Sequence, residues 1–496
     1  MYYLGIDIGT THLKTCLLDE NLQVAHITVD DNHMDGKARA GEGYDPRTLW
    51  KSIEETLHIA LYDIDASQVQ AIGVTSMADA GLPVDDAGLP LGPIIPWQST
   101  GGDRYKHDLL DQIEPYDLYR RTGLIYHPKY PALHMLALKH ESAEVFARMK
   151  AWLSVSDWVI DQLCGQMAMD ESQACRTMLY DIGNQQWDSQ LIDAAGLTGK
   201  LPPVVSMGTP VGTLRPDLAA RFGLNPSVQI VTGGHDHLCA AIAVGADQSG
   251  QIVNSMGTAE VYVGIIDQPI RSREAFDLCL NQGCASGGRY YWMANLPASG
   301  ASIEWMRRIL STEGEVKYNL FLQEEHLSAP SPVLYFPYLN GSGSPHTDAD
   351  QRAMFLGLSS DTTVYQIIKA IYEGIGYESR WIMDALTRLG LSGTSILAVG
   401  GGTKNRMLMQ TKVNVMQQSI RATELDEATG IGAAILAARA CGLKGQRTEP
   451  QPPAGQETAA TQAGLFDPDP ALADHYQTGY MHYRQIHQAL QTVRKV

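Results

Sequence analysis

Residues 5–14, Gly5-Ile6-Asp7-Ile8-Gly9-Thr10-Thr11-His12-Leu13-Lys14, put an acid at the end of an apolar run, then a glycine turn, two hydroxyls and a cation. These types in this order suit a polyphosphate. Glycine lets backbone N–H groups close on an anion, and the amides of a turn form an anion-binding concavity. Thr10 and Thr11 can donate to phosphate oxygens, Lys14 can neutralise charge, and Asp7 can hold Mg2+ directly or through water. A plain hairpin with a Gly-Thr turn is the simpler account, because short motifs recur by chance.

Two further loops repeat parts of this apparatus. Ser255-Met256-Gly257-Thr258 offers the same Gly-Thr donors without the acid. Gly400-Gly401-Gly402-Thr403-Lys404-Asn405 follows a strand-like segment and opens a helix-like one, where amides at a helix N-terminus would meet a nucleotide. Ahead of both stands Gly233-Gly234-His235-Asp236-His237. Phosphoryl transfer needs mainly positioning and charge stabilisation, plus a carboxylate to accept the proton of the attacking hydroxyl. Asp236, on a glycine turn at a strand end, is the first candidate for that base. Two other readings stay open: Asp236 as the cap of the alanine-rich helix that follows, and His235, Asp236 and His237 as metal ligands.

These residues need a frame. Tyr2–Ile8, Leu13–Leu18 and Leu22–Val29 read as strands, Leu49, Ile53, Leu57 and Leu61 fall at helical spacing, and Val69–Thr75 returns to a strand. Strands alternating with helices argue for an α/β fold. Val228–Thr232 and Ile396–Val399 add strands that end in glycine turns, and Asn254 to Val263 repeats the opening strand, Gly-Thr turn and second strand in outline, so the chain looks like one structural idea used twice. A long helix is expected after a cap at Asp361 or Thr362, with Val364, Ile367, Ile368, Ile371 and Ile375 on one face and Gly390 at its end. Gly430-Ile431-Gly432-Ala433-Ala434 lacks the third glycine of a dinucleotide fingerprint and reads as a close-packed helix. Residues 443–468 are expected to be an irregular connection. Leu472, Tyr476, Tyr480, Tyr483, Ile486 and Leu490 then mark a helix that docks on the body.

At 496 residues the chain is long enough for two domains. With 44% apolar and 19% charged residues it has a globular composition. Its net charge of −18 argues against nucleic acid or an anionic membrane as partners. Seven scattered cysteines without a CxxC pair, and the absence of a signal-like start or a long apolar run, lead to the expectation of a cytoplasmic protein. There is no GxxxxGK[ST] loop, so the phosphate chemistry is not that of a P-loop enzyme.

GIDIGTTHLK, GGHDH, NSMGTAE, GGTKN and DEATGIGAAILA occur in the order and rough spacing of the FGGY carbohydrate kinases, which belong to the actin-like ATPase superfamily, and the chain resembles that family from residue 1 to about 440. The resemblance implies two actin-like (ribonuclease H-like) domains with an ATP cleft between them. Its expected boundaries are 1–246 for the sugar-binding and catalytic domain, 247–442 for the nucleotide-binding domain, and 443–496 for a linker and docking helix. It implies ATP and Mg2+ as cofactors and a small sugar or polyol as partner, and it leaves room for a homodimer. Asp7 falls at the metal-associated acid, with Gly9, Thr10, Thr11 and Lys14 in the first phosphate loop. Gly257 and Thr258 fall in the second, and Gly401, Gly402 and Asn405 at the nucleoside. Asp236 falls at the base.

On the acceptor side Thr75–Asp79 aligns with the segment that in glycerol kinases carries an Arg-Glu pair, here Ala78-Asp79. Trp97 fits the family's tryptophan on the sugar. Met77, Ala78, Asp79, Trp97 and His237 are thus expected to line the acceptor site with Asp236. The arginine that usually follows the tryptophan is absent, and Lys129 falls in a stretch that departs from the family pattern. Lys129 is expected to be a solvated surface residue, with recognition of an acidic substrate as the alternative. Two rivals to a kinase stand: an actin-like ATP-binding sensor without sugar chemistry, and a metal-dependent hydrolase built on His235, Asp236 and His237.

Overall fold

The computed structural model describes residues 1–31, 43–311, 318–391, 393, 395–423, 425, 427–443 and 464–493. Its two large sheets share one plan. The first contains β1 (Tyr2–Ile8), β2 (His12–Asp19), β3 (Val24–Asp31), β4 (Val69–Ser76), β5 (Pro210–Thr213) and β6 (Gln229–His235), in the order β5-β6-β4-β1-β2-β3. The second contains β7 (Gln251–Met256), β8 (Glu260–Ile266), β9 (Asn281–Ala285), β10 (Arg289–Leu296), β11 (Ser395–Val399), β12 (Ile420–Ala422) and β13 (Leu465–Phe466), in the order β9-β10-β8-β7-β11-β12-β13.

In the first sheet β1 is antiparallel to β2 and parallel to β4, which is parallel to β6. In the second, β7 is antiparallel to β8 and parallel to β11, which is parallel to β12. Each sheet is therefore a hairpin extended by two parallel strands, and the repetition outlined by the glycine turns is present in the topology.

Seven helices bear on the argument: α1 (Pro46–Ala60), α2 (Val155–Cys164), α3 (Asp236–Ala243), α4 (Val364–Arg388), α5 (Arg406–Met416), α6 (Ala428–Ala440) and α7 (Ala473–Val493). α1 starts where Asp45 accepts the Arg47 amide, and it buries Leu49, Ile53 and Leu57. α4 is capped by Thr363, one or two residues beyond the expected Asp361 or Thr362. Thr363 wins because Gln366 lies three residues on and completes a reciprocal capping box. Gly390 follows its end with φ 73°.

α6 comes late in the chain yet packs on β1 and β4 of the first sheet. Glycines make the approach possible: a Cβ on Gly5 would stand 2.0 Å from the Gly430 carbonyl oxygen, and one on Gly73 would stand 2.2 Å from that of Ala433. α7 docks through Tyr476, Tyr480 and Tyr483, which are buried beside Phe336, Tyr338 and Tyr377. Of the connection expected over 443–468, residues 444–463 lie outside those described. Leu465–Phe466 is not irregular but forms β13, because it pairs with the free edge of β12. Among the described residues, no helix is long and apolar enough to cross a membrane.

Candidate active site

Asp7 sits near the end of β1, where its register partners are Lys14 on β2 and Thr75 on β4. The residue is buried, and burial pushes its carboxyl up to about 7. Lys14, 3.9 Å away, opposes that rise, while Asp236 and Glu427 add to it. Asp7 Oδ1 has no hydrogen-bond partner among the described residues. A buried, unpartnered carboxylate oxygen within the field of two other acids is a fit for a divalent cation.

Lys14 pairs with Glu427 as well as with Asp7. Glu427 has no role in the sequence reading, although it lies inside the DEATG motif. It precedes α6 with φ 62°, a left-handed conformation uncommon for a residue with a side chain, and nothing in its residue type announces that.

Asp236 is the first residue of α3. The glycines before it do not form a turn: β6 runs through Gly233 and Gly234 to His235, with a register shift against β4 and φ 68° at Gly234. The extra residue is taken up as a bulge because Gly234 tolerates that φ. Asp236 also does not cap α3 in the expected way. The position before the helix belongs to His235, and Asp236 Oδ1 accepts the backbone N–H of His237 at 2.7 Å. His235 Nε2 lies 3.2 Å and His237 Nε2 4.0 Å from the same oxygen, and the three groups fall within 4.8 Å of one another. Burial, with His237 and Arg176 adding to it, holds His235 well below the usual imidazole range, so its ring is neutral at pH 7.

Asp236 and His237 line a cavity of about 640 Å³ together with Lys14, Ser255, Gly401 and Glu427. The wall thus draws on both sheets. Gly400 has φ 96°, and a Cβ on it would meet the Met256 carbonyl oxygen at 2.9 Å, so the glycine loop lies directly on the end of β7. A Cβ on Gly401 would meet open space.

Thr10, Thr11, Gly257 and Thr258 occupy the hairpin turns of the lining strands, outside the wall itself. The Gly9 amide closes its own turn on the His12 carbonyl at 3.0 Å, and Gly257 does the same with Ala259. Asn405 is buried. Its oxygen caps α5 at the Leu408 amide and its Nδ2 donates to the Tyr372 hydroxyl, so it shapes the loop from beneath. Gly402 likewise packs on Met256.

On the acceptor side, the Trp97 indole donates to Thr10 Oγ1 at 3.3 Å, and Met77 and Ala78 are buried at the end of β4. Asp79, with φ 69°, carries two cations. Arg176 grips it through Nε and Nη2 at 3.0 and 2.9 Å, and Lys129 Nζ lies 2.9 Å away. Burial alone would raise the Asp79 carboxyl, but Arg176 and Lys129 outweigh it and hold the group far below the carboxylate range. Lys129 is therefore not the solvated surface residue expected, because the buried carboxylate draws it inward. Arg176, which the sequence reading missed, supplies a guanidinium to a side that has none soon after Trp97. It lies 97 residues from Asp79 in the chain, and no local pattern connects them.

The profile for the N-terminal domain of the FGGY family of carbohydrate kinases matches residues 2–243, and that for the C-terminal domain matches residues 252–441. The chain is 27% identical over 444 residues to a xylulose kinase from Staphylococcus epidermidis, with 88% of each chain covered. It superposes on the crystal structure of a xyloylose kinase from Brucella ovis with a TM-score of 0.88 at 25% identity, covering 99% of this chain and 100% of that one. It superposes on a gluconate kinase from Lactobacillus acidophilus with a TM-score of 0.87 at 22% identity, covering 99% and 98%. Two matched domains that take in nearly the whole chain, folded on one repeated plan around a shared cavity, establish that the chain belongs to the FGGY family of carbohydrate kinases.

Proposed function

We propose that this kinase transfers the terminal phosphoryl group of ATP to a hydroxyl of a small sugar or sugar alcohol, with Asp236 accepting the hydroxyl proton. The observation that carries this reading is that Asp236 shares one cavity with Lys14 and Gly401, while its charge also reaches Asp7. Residues 1–246 would supply the base and the acceptor site, and 247–442 most of the nucleotide site.

Asp236 is half-buried and faces the cavity, with one oxygen already fixed by the His237 amide. Its orientation is thereby set before an acceptor arrives. A carboxylate so placed takes the proton as the hydroxyl oxygen forms its new bond to phosphorus, a contribution of roughly 10²–10⁴ in rate. Lys14, the hydroxyls of Thr10 and Thr11, and those of the second turn are suited to hold the phosphates. Mg2+, held at Asp7, would offset phosphate charge. Closing of the cleft would keep water from competing with the acceptor.

The relatives do not settle the acceptor, since one is named for a ketose and another for a sugar acid. ADP release from Mg-ATP across ketoses, polyols and sugar acids tests the proposal. One strongly stimulating compound supports it, and a flat panel from a protein that binds ATP rejects it. The His235-Asp236-His237 trio supports a metal-dependent hydrolase as a second reading. Stoichiometric transition metal in purified protein, with hydrolysis lost on chelation, would favour that one.

A further inference from the structure

The cluster around Asp79 holds one more cation than anion. Asp79 is the single carboxylate gripped by both Arg176 and Lys129. The nearby His127 does not change the count. Burial, with Lys129 adding to it, lowers His127 to about 4, so it is neutral at pH 7. Asp103, the next acid toward His127, is already occupied by Lys106 and the Tyr126 hydroxyl. Asp236, in contact with His235, lines the cavity and is counted apart from this cluster.

The three charged groups differ in what they have left to offer. Arg176 spends Nε and Nη2 on Asp79, and its guanidinium lies 5.2 Å from the centre of the Tyr130 ring. Its Nη1 is buried without a hydrogen-bond partner among the described residues. Arg176 therefore fixes Asp79 and adds positive field. Lys129 is the accessible member, a quarter exposed. Of its three N–H donors, one points to Asp79. A half-buried surplus charge is stabilised when a counter-charge reaches it. His235 touches Asp236 and lies within the field of Arg176, Asp79 and Lys129, which links the Asp79 cluster to the candidate base.

We infer that Lys129, oriented by the Asp79–Arg176 pair, binds a carboxylate on the acceptor, which makes the preferred substrate a polyhydroxy acid phosphorylated at a hydroxyl remote from its acid group. The inference rests on the kinase reading above. A carboxylate is favoured over a phosphate ester because one surplus positive charge matches a monoanion, whereas a dianion would leave the Asp79 cluster net negative.

The test compares kcat/KM for aldonates of four to six carbons with that for alditols and ketoses of equal length, in the wild type, Lys129→Gln and Lys129→Arg. Each protein's Tm is also measured with and without aldonate in the absence of nucleotide. In the wild type the acids should be preferred by at least about tenfold, mainly through KM, as expected for a hydrogen bond to a charged group. The preference should collapse in Lys129→Gln and persist in Lys129→Arg. The aldonate-induced Tm rise should follow the same pattern. A wild type that prefers neutral acceptors, or a Lys129→Gln enzyme with the full acid preference, overturns the inference. If nothing stimulates ATP turnover, the kinase reading fails. The carboxylate site is then judged by the Tm rise: present in the wild type and lost in Lys129→Gln supports it, and absent in the wild type rejects it.

Discussion

Gly432 of α6 rests on Cys239 of α3 so closely that a Cβ on Gly432 would stand 1.9 Å from the Cys239 carbonyl oxygen. Asp236 begins α3, and Glu427, the partner of Lys14, immediately precedes α6. Asp236 and the Lys14–Glu427 pair are therefore positioned by one helix pair, whose spacing is set where Gly432 meets backbone.

Gly432→Ala tests that dependence. The added methyl meets carbonyl and Cα atoms, not a flexible side chain, so the helices must separate. Overpacking of this kind costs about 1–3 kcal/mol. Tm should fall by several degrees, and kcat should fall further than the stability loss explains, because α3 carries Asp236. Unchanged Tm and kcat would show that α3 and α6 separate freely.

Asp236→Asn keeps the shape of the side chain and its contact with the His237 amide but removes the proton acceptor. kcat should drop by roughly 10²–10⁴ while ATP binding stays near the wild-type value. A variant that retains most of its turnover would remove Asp236 from the chemistry.

The Asp7 carboxyl has an ordinary value of 3.8 and rises to about 7 in the fold. Between those values the folded chain holds a proton that the unfolded chain releases. The stability from that proton is complete below about pH 4 and is lost as pH rises through 7. A divalent cation prefers the carboxylate form, so the Tm increment that Mg2+ adds to the ADP complex should be larger at pH 8 than at pH 6. In Asp7→Asn that increment should vanish at both. An increment that is equal at the two pH values, or that survives in Asp7→Asn, would place the cation elsewhere.

Much of this arrangement is legible in the residues. The glycine turns after β1, β7 and β11 mark both sheets, and the apolar spacing of α1, α4 and α7 locates those helices. What stays hidden depends on tertiary contact. Gly430 reads as a helix residue, but only the structure puts it on Gly5, from the other end of the chain. Arg176 meets Asp79 across two unrelated segments, and Lys129 is drawn from solvent by a carboxylate that the sequence does not place near it. Asn405 matches a nucleoside motif by position, yet its amide is consumed by the N-terminus of α5 and by Tyr372, a local competition that motif matching does not weigh.

Lys412 and Glu260 form an ion pair that is completely buried beneath the Gly257-Thr258 turn. Asn254 also accepts from Lys412, at 2.5 Å, while Tyr262 and Ser299 donate to Glu260, so the pair anchors β7 and β8 on either side of Gly257 and Thr258. Burial pulls the Lys412 ammonium well below its usual range, which measures how unfavourable that charge would be without its partner. Lys412→Met should therefore cost about 3–5 kcal/mol, since it leaves the Glu260 carboxylate stranded. Lys412→Met combined with Glu260→Gln should recover much of that loss, because neither charge then remains uncompensated. Denaturant unfolding of the two variants decides the matter. A double variant no more stable than Lys412→Met alone would mean that the lysine acts through packing, and that the charge pair itself contributes little to holding the turn.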